Sequence, residues 1–366
     1  LSARLDRAAG VLVGLAAGDA LGAGYEFGPA FDGPVEMKGG GPFGWEPGEW
    51  TDDTQMAICI AEQAATGDLD LDALGDRFIA WASEANDIGN QTRTVLSRAV
   101  DGSDLPGAAA AHFRQRPNHA AGNGSLMRTG SVALACLGDR DRIAGAAAGI
   151  SAITHADPLA IDACVLWSLA VAEAVETGEV PDIRKGLDHI PADRRDRWAG
   201  FIDDAESSPP GVFTPNGFVV TAFQAAWSSI VHTPAPEDEP ARHLRNTLEN
   251  AVRIGNDTDT VAAIAGTLLG AAWGASAVPP RMARRHARLA RLHNRGPQAV
   301  GCPIPGGPAT RRRRVSRRFL LKASRRGFLT LRGQRLCMDA SLRGQPTLPP
   351  PTLCSQSVSV QRRLSR

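Results

Sequence analysis

The chain has 366 residues, 43% hydrophobic and 22% charged, enough to bury one large core or two modest ones. Its net charge of +1 hides a split: residues 281–366 carry 21 Lys+Arg against one acid, Asp339, whereas residues 1–280 carry 19 basic and 38 acidic residues. Two such unlike halves exclude one uniform globule, and no continuous apolar run approaches the length of a bilayer span, which argues against a transmembrane protein.

Asp6 and Asp19 interrupt the apolar first twenty residues, so no signal-peptide pattern forms. Helical patterning then covers most of residues 1–280. Ala, Leu and Ile recur at three-to-four spacing over 5–17, 55–66, 71–83, 92–100, 131–136, 143–150, 159–176, 217–231, 241–254 and 261–273. Gly, Pro, Asn and Asp turns separate these stretches, and strict alternation is scarce, so the expected fold is a compact all-α domain. Trp81, Trp167, Trp227 and Trp273 fall on helical faces and read as core. The cysteines at 59, 136, 164, 302, 337 and 354 form no CxxC pair, which suggests reduced thiols in a cytoplasmic protein. Beyond Pro279–Pro280 the periodicity fades into an Arg- and Pro-rich stretch. Residues 281–366 read as a disordered basic tail whose charge suits nucleic acid or another polyanion.

Two acidic motifs each directly precede an apolar helix: Thr51-Asp52-Asp53-Thr54 and Asn256-Asp257-Thr258-Asp259-Thr260. Taken singly, each reads as a helix cap. Together they bring four carboxylates to two helix starts, and a cap needs only one acceptor. If those ends pack side by side, the acids need cations to offset their repulsion. Oxygen donors without His or Cys suit Mg²⁺ or Mn²⁺ over Zn²⁺, and four acids could hold two ions. Two ions suit gripping a phosphorylated ligand while activating water.

The motifs GLAAGDALG at 14–22, Tyr25-Glu26, WTDDTQ at 50–55, DIGNQT at 87–92, GNGSLMR at 122–128, Thr154-His155 and IGNDTDT at 254–260 occur in that order. In this ordered set the chain resembles the ADP-ribosylglycohydrolase family, the dinitrogenase-reductase-activating type, over residues 5–278. The resemblance implies an orthogonal helical bundle with a two-metal cleft. It places Thr51, Asp52 and Asp53 on one side of the metals and Asp257, Asp259 and Thr260 on the other. Glu26 matches a glutamate that helps place the catalytic water, with Asp53 and Asp87 as further catalytic groups. Asn90 would face the leaving group. Gly122, Asn123, Gly124 and Ser125 form a loop whose missing Cβ atoms permit close approach of a ribose or diphosphate, and His155 would contact ADP-ribose. Asp19 is expected to bond loop amides, Arg128 to pair with a buried acid, and Trp50 to wall the cleft. The implied activity is hydrolysis of the glycosidic bond between ADP-ribose and a protein side chain or small acceptor, by a monomer using two divalent cations.

Two departures stand out. Thr129 follows Met127-Arg128 where the family usually has Pro; like Tyr25 before Glu26, this leans toward its serine-directed members. The usual C-terminal Trp-Pro-Gly stretch is also missing. Read one base later, Met282-Ala283 yields a tryptophan codon, and residues 287–293 can encode Pro-Gly-Trp-Pro-Gly-Tyr, so residues 281–366 could be an out-of-frame product. Two rival readings remain: a non-catalytic ADP-ribose-binding or structural relative, and a nucleic-acid-associated protein acting through a genuine basic tail.

Overall fold

The computed structural model describes residues 2–279 and, beyond them, residues 321–323 and 329–331. Those six residues form two strands, β1 (Leu321–Ala323) and β2 (Leu329–Leu331), antiparallel with Leu321 opposite Leu331. The sequence patterning does not foresee this pair. The rest of the tail, and with it the reading as disordered or out-of-frame, lies outside the described residues.

Residues 2–279 are helical, as expected. The helices are α1 (Ala3–Gly22), α2 (Asp52–Ala64), α3 (Leu71–Ala82), α4 (Asn90–Leu96), α5 (Leu105–Gln115), α6 (Leu126–Thr129), α7 (Arg140–Ala152), α8 (Pro158–Thr177), α9 (Ala192–Ser207), α10 (Val219–Val231), α11 (Arg242–Arg253) and α12 (Thr258–Trp273). The expected helix at 131–136 is instead a 3₁₀ stretch, Gly130–Ala135. Six residues following directly on α6 suit the tighter 3₁₀ turn, which is used in short pieces.

Local chemistry fixes several ends. Asp157 accepts the Leu159 N–H and Pro158 opens α8, while Gly178 closes it at φ 80°, a left-handed conformation that glycine adopts without a Cβ penalty. Asp139 and Asp70 cap α7 and α3 in the same way. Two helices, α1 with its extension to Tyr25 and α8, are long and apolar enough by composition to cross a membrane, yet most of each is buried inside the protein. Trp167 on α8 meets Phe223 edge-on, and Phe223 meets Trp198 of α9, so three elements share one aromatic core.

The pairing that positions the site is α1 against α12. Gly10, Gly14, Gly18 and Gly22 recur every fourth residue and therefore line one face of α1. A Cβ on Gly10, Gly14 or Gly18 would stand 1.9, 2.2 or 2.1 Å from the carbonyl oxygens of Gly270, Gly266 and Ala262. The backbones touch, and the order of partners makes the helices antiparallel. The C-terminal end of α1, with Asp19, thus lies against the start of α12, where Thr258 Oγ1 donates to the Gly22 carbonyl at 2.9 Å.

Candidate active site

Asp19 reaches from α1 to the start of α2. Its carboxylate accepts the Thr51 N–H at 2.9 Å, the Thr54 N–H at 3.0 Å and the Thr54 hydroxyl, as the sequence suggests for an acceptor of loop amides. Capping of α2 is therefore supplied by Asp19, and Thr51 at the cap position makes no cap bond with its own side chain. Asp52 and Asp53 are not consumed in capping. Asp53 Oδ2 accepts from Thr51 Oγ1 at 3.1 Å and lies 3.5 Å from Thr260 Oγ1, which joins the two acidic motifs across 207 residues of sequence. Asp52 Oδ2 accepts the Gly89 N–H at 3.4 Å and draws in the turn that carries Asp87.

The start of α12 is held by residues distant in sequence. Asn123 Nδ2 donates to Asp257 Oδ2 at 2.8 Å and to the Asn216 carbonyl at 3.0 Å. Asn216, fully buried, accepts the Asp257 N–H at 2.9 Å and donates to the Gly255 carbonyl. Phe27 and Asn256 both sit at positive φ, 59° and 61°, a conformation asparagine tolerates and a bulky phenylalanine does not favour. They bond to each other, Phe27 N–H to the Asn256 carbonyl at 2.6 Å, and Asn256 N–H closes on Gly28. This bridge fixes Glu26 beside the α12 motif.

Two overlapping carboxylate groups result. Oxygens of Asp19, Asp53 and Asp259 lie within 4.8 Å of one another, and so do oxygens of Glu26, Asp257 and Asp259. Buried Asp53 Oδ1, Asp259 Oδ1 and Glu26 Oε2 have no hydrogen-bond partner. Orphaned carboxylate oxygens in the interior are costly, and no Lys, Arg or His pairs with these acids among the described residues. Burial, then repulsion from Asp257, Asp87, Asp52 and Asp19, pushes the Glu26 carboxyl up to about 9. Burial and neighbouring acids push Asp52, Asp53 and Asp259 well above the usual carboxylate range. Asp87 rises to about 6 through burial and Asp257, opposed by Arg93. An all-oxygen donor set with unsatisfied, mutually repelling acids fits hard divalent cations.

The loop residues surround this cluster unequally. Gly122 bridges to Phe218, and the Asn123 N–H donates to the Gly217 carbonyl at 3.1 Å. A Cβ on Gly124 would come within 3.1 Å of His155 Cε1, so the loop lies directly on the imidazole. The Ser125 hydroxyl is turned inward to Ser151 Oγ at 2.9 Å and to the Cys164 thiol, leaving its backbone to the loop. Asn90 sits exposed on the first turn of α4, with no side-chain bond to the acids. Trp50 is half-buried. Arg128 departs from expectation: no carboxylate pairs with it, and its buried guanidinium instead donates to Thr154 Oγ1 at 2.6 Å, contacts Met56 Sδ and stacks on the Phe78 ring. Sequence reasoning missed Asn216, because Thr214-Pro215-Asn216-Gly217 has the composition of an ordinary turn, and it missed Asp19 as a member of the carboxylate cluster.

The sequence profile of the ADP-ribosylglycohydrolase family matches residues 1–300. The chain is 30% identical over 315 residues to the ADP-ribosylarginine hydrolase Tri1 of Pseudomonas putida (strain GB-1), covering 80% of each chain. It is 29% identical over 284 residues to the ADP-ribosyl-[dinitrogen reductase] glycohydrolase of Rhodospirillum rubrum, covering 75% of this chain and 88% of that one. Human ADP-ribosylhydrolase ARH3 is 25% identical over 320 residues. A solved ADP-ribosylglycohydrolase-related protein complex superposes with a TM-score of 0.59 at 28% identity, over 79% of this chain and 96% of that one. With the acidic cluster and its helical frame in place, the profile match over most of the sequence establishes that this chain belongs to the ADP-ribosylglycohydrolase family.

Proposed function

We propose that the protein hydrolyses the glycosidic bond joining ADP-ribose to an arginine side chain and depends on divalent metal, Mg²⁺ or Mn²⁺, for doing so. The observation that carries this reading is the pair of carboxylate groups sharing Asp259, with three buried oxygens lacking partners. The arginine acceptor rests on the Tri1 relative at 30% identity, whose name specifies ADP-ribosylarginine. Asp19, Asp53 and Asp259 would hold one cation, and Glu26, Asp257 and Asp259 the other, with Thr51, Asp52 and Thr260 completing the surroundings. Bound there, the cations supply the positive charge that lets the acids ionise together and draws substrate hydroxyls and water into the cleft.

The remaining work falls to side chains. Water adds to the anomeric carbon as the carbon–nitrogen bond breaks; the substrate guanidinium leaves as neutral guanidine, and a carboxylate takes the proton water gives up and passes it on to that guanidine. Asp87, outside both carboxylate groups and raised by burial to about 6, is suited to taking that proton near pH 7, while Glu26 would help place the water. The surrounding acids stabilise positive charge developing on the sugar. The Gly122–Asn123–Gly124 backbone and His155 would orient the ligand, with Asn90 toward the acceptor. The full chain, incubated with ADP-ribosyl-arginine and ADP-ribosyl-serine peptides in Mg²⁺, Mn²⁺ or EDTA, is expected to release ADP-ribose from arginine only when metal is present. Release in EDTA would end the metal assignment, and preferential release from serine would end the arginine one.

A further inference from the structure

Arg128 is fully buried, and its only charged neighbours act through space, so it needs another reason to be there. Its Nη2 donates to Thr154 Oγ1 at 2.6 Å, and that same oxygen lies 2.7 Å from His155 Nδ1. Arg128, Thr154 and His155 are all buried, and the backbone of the pair is already engaged: the Thr154 carbonyl accepts from Gln91 and the His155 N–H donates to the Ser151 carbonyl.

The hydrogens can be placed by counting. An arginine only donates, so Thr154 Oγ1 is an acceptor toward Arg128. The Thr154 hydroxyl carries one hydrogen, and His155 Nδ1 is the acceptor within reach of it. Were Nδ1 to carry a proton and donate to Oγ1, the hydroxyl hydrogen would be left buried without a partner. The lower-cost arrangement is therefore a relay: Arg128 to Thr154, Thr154 to Nδ1, with the imidazole proton on Nε2. That nitrogen lies under the Gly122–Gly124 loop, 3.5 and 3.2 Å from where Cβ atoms on those glycines would be.

Building on the site reading above, we propose that Arg128 and Thr154 are positioning residues that set the His155 tautomer. Arg128 occupies the Thr154 oxygen, Thr154 must then donate to Nδ1, and His155 presents an Nε2–H donor to an oxygen of the ADP-ribose moiety held at the Gly122–Gly124 loop. Without the arginine, the hydroxyl could accept from Nδ1–H, and Nε2 would turn a lone pair toward the ligand oxygen instead.

Long-range ¹H–¹⁵N NMR on the ¹⁵N-labelled full chain distinguishes the two tautomers, with His155 identified by the signal that disappears in His155→Gln. The wild type is expected to show Nε2–H alone. Arg128→Met, which keeps an apolar stem against Met56 and Phe78, is expected to show a population of Nδ1–H. It should also weaken ADP-ribose binding roughly tenfold by calorimetry, the worth of about one hydrogen bond. Thr154→Val should lose the same affinity, and Thr154→Ser, which keeps the hydroxyl, should restore it. An Nδ1–H tautomer in the wild type overturns the proposal, as does Nε2–H persisting alone in a folded Arg128→Met. If Arg128→Met does not fold, the wild-type spectrum and the Thr154 pair decide. A wild type that shows Nε2–H but binds no ADP-ribose in Mn²⁺ would sink the reading of the site while leaving the relay standing.

Discussion

Asp259 belongs to both carboxylate groups, and burial together with Glu26, Asp53 and Asp257 pushes its carboxyl well above the ordinary range. Removing its charge should therefore act in two directions. Asp259→Asn is expected to melt at least as high as the wild type in EDTA, because a buried, repelled acid has gone. It should gain little on adding Mn²⁺, and ADP-ribose release should fall about 10²–10³-fold. Scanning calorimetry with a release assay checks both halves; a variant stabilised by Mn²⁺ like the wild type would remove Asp259 from the metal centre. Gly124→Ala puts a methyl 3.1 Å from the His155 ring, and is expected to raise KM for ADP-ribosylated peptide more than it lowers kcat. At this scale the sequence is informative wherever chemistry is local. Asp52, Asp53, Asp257 and Asp259 are visible because each pair stands within three residues at a helix start. Asn216 and Asp19 act across 41 and 32 residues, through bonds to backbone N–H groups, and no local pattern announces such a partner.

At the scale of elements, the glycine face of α1 makes a sharp prediction. Gly18→Ala would force a Cβ to 2.1 Å from the Ala262 carbonyl oxygen, so the helices must part. We expect a loss of about 1–3 kcal/mol or more, and a fall in hydrolysis, because Asp19 and the α12 motif move relative to one another. Gly145→Ala on α7 meets nothing within 4 Å and should stabilise by about 1 kcal/mol through helix propensity alone. Denaturant titration of the two variants separates close packing from propensity; equal effects would contradict the contact. Most helices are legible from their apolar spacing, with ends shifted by a few residues. Two are not. α5 opens on Leu105-Pro106-Gly107, which has the look of a turn, although proline in the first turn is tolerated. α9 begins Ala192-Asp193-Arg194-Arg195-Asp196 and is charged over most of its surface, so its apolar face rests on Trp198, Ile202 and Ala205.

At the scale of the whole molecule, the acid cluster couples stability to pH. Folded-state carboxyls at about 6 for Asp19 and Asp87 and about 9 for Glu26 lie above their unfolded values of about 4. The folded, metal-free protein therefore binds protons that the unfolded chain has released. Its stability is greatest at low pH in this respect, and falls as pH rises from about 4 through 6 and toward 9. A divalent cation that binds only the folded state should offset that fall, so the rise in Tm on adding Mn²⁺ is expected to be larger at pH 8 than at pH 5. Calorimetry at the two pH values tests it, and an equal rise at both would show that these acids are not what the cation meets. The pairing of α1 with α12 also has a consequence for synthesis. One wall of the site is made near the start of the chain and the other more than two hundred residues later, and domains assemble as the chain emerges from the ribosome, N-terminal end first. A nascent chain therefore exposes the glycine face of α1 with nothing to cover it until α12 has been made. The two carboxylate groups come together only when α12 docks, so any cation binding they support would itself report that the two walls of the site have met.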